Sequence, residues 1–309
     1  MMKGSTETVK QYIHRIAAHV VAIVLRSGAV YDPENFRLWE RHGYHITPIH
    51  FYYPIPDTRD LEKRDFSPSQ LSGIDLHPEF QLRLMKEAFA KFSHEYNSFP
   101  IKPTDSSGFY LDNDAFGGID PYIYYCMIRH FKPKTVIEIG SGHSTLLGAH
   151  ACKLSGCLRY VCIDPWPREF ISRGVPGIDF IRKKVEDLDL DLFQQLQEND
   201  ILFVDSSHVV RTGGDICFEI LEVLPRLAKG VLVHFHDIFL PFEYPKEWLV
   251  GRQRFWTEQY LLQAYLAENN HVEVLFANHF LSKEYVAEVR ENFPNALWID
   301  GGSFWIRKC

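Results

Sequence analysis

A chain of 309 residues can bury a full core and hold one large domain, or a core domain with a smaller one. Its hydrophobic content of 46% is ordinary for a globular protein. The formal net charge of −7 argues against nucleic acid as the main partner, because a polyanion requires a basic patch. The six cysteines form no Cys-x-x-Cys pair, so we expect free thiols in a reducing compartment.

The first third of the chain carries no catalytic pattern. The apolar run at residues 17–25 is too short to span a bilayer and no convincing signal-peptide cleavage site follows it, so we expect a buried helix, no membrane partner and a cytoplasmic protein. Further along, apolar residues at helical spacing predict an amphipathic helix: Leu82, Leu84, Met85, Phe89 and Phe92. We interpret residues 1–119 as a mostly helical and irregular extension that covers the substrate side of the domain that follows.

A strand followed by a glycine-rich turn stands at residues 135–145. Val136, Ile137 and Ile139 form a short β-branched run that is typical of a strand buried on both faces. Gly140 and Gly142 then permit a tight turn into a helix whose N-terminus can bind an anionic group. The third glycine of the dinucleotide fingerprint is absent, which argues against NAD or FAD.

Strands and helices alternate from residue 135 onward, which predicts an α/β fold with a parallel sheet wrapped on both sides. After the first strand we expect six more, near residues 160–163, 180–182, 201–204, 230–235, 272–277 and 304–307. The second strand ends at Asp164, about twenty residues past the glycines. A carboxylate there can accept from ribose hydroxyls, because ligands of open α/β sheets bind beyond the carboxyl ends of the strands.

The segment Glu138-Ile-Gly-Ser-Gly142 resembles the first motif of class I methyltransferases, which use S-adenosylmethionine (SAM). The set of seven strands is similar to the doubly wound, mostly parallel sheet of that class. The resemblance implies a SAM-binding core at residues 120–309. It implies these contacts to SAM: Glu138, Gly140, Ser141, Gly142, Ser144, Asp164, Trp166, Glu186 and Asp205. At Glu186 the match is loose, and a cluster of acids at a helix N-terminus explains it equally well.

Side chains that can bind metals follow the fourth and fifth strands. Asp205 follows the fourth, and His236-Asp237 follows the fifth. This pairing resembles the metal-dependent O-methyltransferases of the catechol and caffeoyl-CoA type. The resemblance implies that Asp205, His236 and Asp237 bind a divalent metal and that His208 takes the place of a catalytic lysine. Histidine in such a set favours Mn²⁺, Fe²⁺ or Zn²⁺ over Mg²⁺.

Metal-free chemistry is the alternative, with His208 or His236 as the general base. We expect His234 to lie on the opposite face of its strand from His236, either behind the site residues or in the core. The aromatic and proline-rich segment at residues 238–248 is either a lid over an apolar acceptor or ordinary packing.

The sequence therefore predicts a SAM-dependent methyltransferase that acts on a small molecule, most simply on oxygen. Two alternatives stay open. One is a catalytically silent binding or partner subunit, and the other is a different reaction on the same fold. A homodimer is left open, and no nucleic-acid or membrane partner is expected.

Overall fold

The chain divides into two compact units, residues 1–64 and residues 65–309. The computed structural model describes residues 3–26, 28–104 and 108–309. The first unit contains α1 (Lys3–Leu25), α2 (Pro33–Arg41) and α3 (Thr58–Lys63).

The predicted helix over residues 17–25 is present as the second half of α1, but the prediction that it is buried was wrong. Val20 and Val21 are 55% and 47% exposed, because no described element of this unit covers the apolar face of the helix. Among the described residues, no helix has both the length and the hydropathy needed to cross a bilayer.

The second unit is built on a seven-stranded sheet with the order β3-β2-β1-β4-β5-β7-β6. Its strands are β1 (Thr135–Ile139), β2 (Arg159–Ile163), β3 (Asp179–Ile181), β4 (Ile201–Val204), β5 (Leu232–Phe235), β6 (Val272–Ala277) and β7 (Phe304–Lys308). The first five strands pair in parallel, and β7 runs antiparallel to both β5 and β6. The predicted seven-stranded, mostly parallel α/β sheet is confirmed.

Helices cover both faces of this sheet. They are α4 (Pro78–Arg83), α5 (Ser93–Tyr96), α6 (Asp120–Phe131), α7 (His143–Ser155), α8 (Glu169–Ser172), α9 (Asp191–Gln194), α10 (Asp215–Phe218), α11 (Glu258–Leu266), α12 (Asn278–Glu284) and α13 (Val286–Asn292). Alternate residues of β1 enter different cores, since Val136 packs on one face and Ile137 and Ile139 on the other. The buried interior on both sides explains the unbroken apolar runs of the parallel strands.

The predicted amphipathic helix is confirmed at residues 78–96. Here α4 continues through a π-helix (Leu84–Ala88) and a 3₁₀ turn (Phe89–Phe92) into α5. Met85 and Phe89 are fully buried and belong to the same core as α6 and α7. The role of residues 1–119 as a cover of the substrate side stays a prediction.

Candidate active site

The strand order reverses between β1 and β4, and the predicted polar residues gather at this switch point. The ladder continues past the strand ends, since Asp205 N donates to the Ile139 carbonyl and His236 N to the Val204 carbonyl, both at 2.9 Å. The carboxyl ends of β1, β4 and β5 therefore stand side by side, where ligands of open α/β sheets bind.

Gly140 makes the first turn fit against β4. Its φ is +88°, and a Cβ at this position would lie 2.0 Å from the Asp205 carbonyl oxygen. No L side chain can occupy that space, so a glycine is required here both by the backbone angle and by the close approach.

A cleft of about 330 Å³ opens above this turn, and we call it the glycine-side cleft. It brings six of the predicted SAM contacts together: Gly140, Ser141, Asp164, Trp166, Glu186 and Asp205. Ser141 Oγ donates to Asp164 Oδ2, and Trp166 N donates to Asp164 Oδ1 at 2.7 Å. The sequence analysis missed several further lining residues: Lys184, Ser206, Ser207, Arg211 and Asp215.

The other three predicted contacts do not line this cleft. Glu138 is fully buried and accepts hydrogen bonds from Ser144 Oγ at 2.6 Å and from Tyr160 OH at 2.7 Å. Burial raises the pKa of Glu138 to about 7, although these hydrogen bonds oppose the rise. The N–H of Gly142 donates a hydrogen bond to Thr145 Oγ1 at 3.0 Å. These residues hold the turn from inside, and nothing in their geometry favours direct contact with SAM.

Two histidines and two aspartates converge beside the first cleft. His208 Nε2 lies 3.3 Å from Asp205 Oδ1 and 3.8 Å from Asp237 Oδ2. His236 Nδ1 lies 3.5 Å from the same Asp205 oxygen and 3.6 Å from the same Asp237 oxygen. Ligand atoms of Asp205, His208 and Asp237 all lie within 4.8 Å of one another. His208, which the sequence suggested as a base, is thus also placed to bind a metal.

Two members of this cluster have a backbone conformation that is uncommon outside glycine. The φ angles of His208 and Asp237 are +60° and +59°. Non-glycine residues in this region cost free energy and are found where the surrounding structure holds a functional side chain in place.

Glu258 is a member of the site that sequence reasoning missed. Its Oε2 lies 2.8 Å from His208 Nδ1, and its side chain is fully buried. Burial alone would lower the pKa of His208, but the hydrogen bonds to Asp205 and Glu258 outweigh it and raise that pKa well above the ordinary value. No local signal marks Glu258, because it stands fifty positions beyond His208 at the start of α11.

His234 lies on the same face of β5 as His236, so the prediction that it lies on the opposite face was wrong. The prediction that it is buried was right. Residues two apart on a strand share a face, and the rings of His234 and His236 are 6.1 Å apart. His234 is fully buried against the rings of Phe203 and Trp305, and burial lowers its pKa well below the ordinary value. It is a neutral core residue behind the site.

A second cleft of about 590 Å³ lies on the other side of Asp205, and we call it the histidine-side cleft. Asp205, His236 and Asp237 line it. Phe239, Pro245 and Trp248 of the predicted lid segment also line it. The lid segment therefore borders the cluster of His208, His236, Asp205 and Asp237, which we call the reactive cluster. This is the position that the lid interpretation expects.

The fold and the site together define a class of protein. A sheet of this order with a glycine turn after β1 and an acidic residue after β2 is the class I methyltransferase arrangement that the sequence resembles. The sequence pattern of a family described as a methyltransferase domain matches residues 137–238. This match and the sheet order confirm the resemblance to class I methyltransferases.

Comparison with individual proteins gives distant relatives. An uncharacterized protein from Archaeoglobus fulgidus is 27% identical over 201 residues, which is 61% of this chain and 87% of the relative. A methyltransferase from Geobacter sulfurreducens is 15% identical with a TM-score of 0.36, over 72% of this chain and 87% of that chain. The O-methyltransferase TomG from Streptomyces achromogenes, involved in tomaymycin synthesis and solved with SAM, is 14% identical with a TM-score of 0.36, over 81% and 94%.

Proposed function

We propose that this protein transfers a methyl group from SAM to an oxygen of a small-molecule acceptor. One observation carries the proposal: Asp205 lines both the glycine-side cleft and the histidine-side cleft. A methyl donor in the first cleft and an acceptor in the second would meet at this carboxylate. Holding the two reactants in contact can supply much of the rate of such a displacement.

The glycine-side cleft fits SAM by its chemistry. The turn residues Gly140 and Ser141 line this cleft together with Asp164. Asp164 accepts one hydrogen bond on each carboxylate oxygen from the protein, and each oxygen keeps a lone pair for a ribose hydroxyl. Glu186 lines the same cleft beside it.

The cluster at the histidine-side cleft fits a divalent metal. In a tetrahedral site with bonds of about 2.0–2.2 Å, ligand atoms are about 3.4 Å apart. The distances from the His208 and His236 nitrogens to the Asp205 and Asp237 oxygens span 3.3–3.8 Å. His236 Nδ1 is buried and makes no hydrogen bond of ordinary length. Mixed nitrogen and oxygen donors suit Mn²⁺, Fe²⁺ or Zn²⁺ better than Mg²⁺.

The transfer forms a bond between the acceptor oxygen and the methyl carbon and breaks the carbon–sulfur bond, whose electrons go to sulfur. The acceptor hydroxyl has to lose its proton, and a bound metal would supply acidity to that hydroxyl. Asp205 and Asp237 would fix the orientation of the acceptor, and the aromatic wall of the cleft would exclude water.

A metal-free variant of this chemistry is favoured by the contacts of His208. Its ring lies between the carboxylates of Asp205 and Glu258, at 3.3 Å and 2.8 Å. Such flanking carboxylates stabilise the imidazolium that forms when a histidine takes a proton from a hydroxyl. In this alternative the neutral form of His208, which is populated only above its raised pKa, is the general base, and Asp205 orients it.

A chelation experiment tests the proposal and separates the two variants. Full-length protein treated with a chelator should bind SAM with unchanged affinity and lose its conversion to S-adenosylhomocysteine with a vicinal dihydroxy acceptor. Mn²⁺, Fe²⁺ or Zn²⁺ should restore turnover better than Mg²⁺. The His236→Ala variant should lose bound metal and activity together.

Full turnover by metal-free protein would instead assign the proton transfer to His208. Failure to bind SAM would contradict the proposal as a whole. SAM binding without methylation of any acceptor would favour the silent binding subunit.

A further inference from the structure

Three arginines line the histidine-side cleft, and they differ in what their guanidinium groups contact. Arg168 lines the cleft, but its Nη1 donates to Asp114 Oδ1 at 2.8 Å. Arg252 is exposed and lies 4.0 Å from Glu247. Within the described ranges, no side chain or carbonyl accepts a hydrogen bond from the guanidinium of Arg254.

Aromatic rings hold Arg254 in place. Its guanidinium carbon lies 5.1 Å from the ring centroid of Trp248 and 5.1 Å from that of Trp256, and the residue is partly buried. The two indole planes stand at 80° to each other, so the guanidinium cannot lie flat on both, and its N–H groups donate to no described side chain or carbonyl. A cation that is partly removed from water and fixed by two rings is prepared to bind a planar anion.

The ring of Trp256 links Arg254 to the reactive cluster. The centroids of Trp256 and His208 are 4.3 Å apart, so Trp256 contacts both the site histidine and the arginine. Arg254 also shares the cleft with His236 and Asp237. A single ligand in this cleft therefore has both the cluster and Arg254 among the residues that line it.

We propose that the acceptor is a hydroxylated aromatic acid whose carboxylate binds Arg254. This inference rests on the proposed function for the role of the hydroxyl end, and on the geometry of Arg254 for the acidic end. The cleft volume of about 590 Å³ lies in the range of small-molecule sites, and its walls include Phe239, Trp248 and Trp298. These rings stack against an aromatic acceptor, and Arg254 selects among aromatic acceptors by charge.

The test compares three probes that share the 3,4-dihydroxyphenyl ring and carry an anionic, a neutral or a cationic substituent: 3,4-dihydroxybenzoate, 3,4-dihydroxybenzyl alcohol and 3,4-dihydroxybenzylamine. Binding to the full chain saturated with S-adenosylhomocysteine is measured by calorimetry. The native protein should bind the acid at least tenfold more tightly than the alcohol, and the amine most weakly. Arg254→Gln should weaken the binding of the acid about ten- to a hundredfold and should leave the affinity for the alcohol within about twofold of the native value.

Two further variants control for folding and for general charge. Arg254→Lys keeps the charge and loses the planar fork, so it should retain only part of the preference for the acid. Arg252→Gln removes a neighbouring charge on the same cleft and should leave the preference intact. Unchanged binding of the alcohol reports that each variant is folded.

Equal affinity of the native protein for acid and alcohol would overturn the inference, as would no binding of the acid at millimolar concentration. An equal loss of affinity for the acid and the alcohol in Arg254→Gln would also overturn the inference. Failure of the proposed function looks different: the acid binds with full dependence on Arg254, yet no S-adenosylhomocysteine forms from SAM with any of the three probes.

Discussion

Asp164 is held by two protein donors and still has acceptor capacity for a ligand. A charge-assisted hydrogen bond contributes about 1.5–3 kcal/mol, so loss of one weakens binding at least tenfold. We expect Asp164→Asn to weaken SAM binding by at least about tenfold while the fold is kept, because asparagine can still accept from Trp166 N. Calorimetry measures this. Asp179→Asn on exposed β3 is the matched control, and equal SAM affinity of the two variants would remove Asp164 from the site.

Glu258 acts on the site through His208. Its carboxylate accepts from His208 Nδ1 and so directs Nε2 toward Asp205. Partners of this kind typically change activity by about ten- to a hundredfold when they are altered. We expect Glu258→Gln to lower kcat by about that factor, to shift the pH profile of kcat, and to leave the dissociation constant of SAM unchanged.

Glu219 provides the control for Glu258. It is equally buried, and burial together with the charge of Glu258 raises its pKa well above the ordinary value, which favours the neutral form that glutamine imitates. Glu219→Gln should keep near-native kcat. If both variants lose kcat equally and the pH profile does not move, Glu258 has only a structural role.

At the scale of elements, the segment after β5 is the part of the domain that we expect to respond to the acceptor. It contributes Phe239, Pro245 and Trp248 to the histidine-side cleft, and its π-helix (Glu247–Gly251) leads toward Arg254. Ligand contacts should slow its local opening. We expect hydrogen exchange at residues 239–256 to slow when S-adenosylhomocysteine and an acceptor are both bound.

Helix α13 serves as the internal reference for this exchange experiment, because none of its residues lines either cleft. Its exchange should be unchanged by ligands. Equal exchange of the segment at residues 239–256 with and without acceptor would mean that it is ordinary packing rather than a lid.

For the whole molecule, the buried carboxyl of Glu138 makes stability depend on pH. Its pKa in the folded protein is about 7, against an ordinary value of 4.5. A raised carboxyl pKa favours folding fully below about pH 4.5, and the contribution is lost as pH rises to about 7. A difference of this size corresponds to about 3 kcal/mol.

Glu138→Gln should remove this dependence, since glutamine stays neutral at every pH. We expect the unfolding free energy of the variant, measured in denaturant relative to the native protein, to gain about 3 kcal/mol between pH 4.5 and pH 8. Subtracting the native curve cancels the other titrating groups. A difference that stays constant over this range would show that Glu138 is not protonated near neutrality in the native state.

Much of the fold could be read from local sequence. Most strands of the sheet are short, largely apolar runs bounded by turn residues, and the first turn requires glycine at Gly140 because of its positive φ. Because the carboxyl ends of neighbouring parallel strands lie together, the meeting of Asp205, His236 and Asp237 could also be predicted. Both kinds of inference need only the period of a strand and the topology of the sheet.

Only the tertiary structure determined the direction of several side chains and the residues that they contact. Glu138 belongs to the motif, yet Ser144 and Tyr160 bind it on the buried side of the turn, which the motif does not specify. Glu258 and Arg254 reach the site because the chain after β5 folds back over the strand ends. Such contacts join residues far apart in the chain and depend on packing, whereas a motif reports only neighbours along the chain.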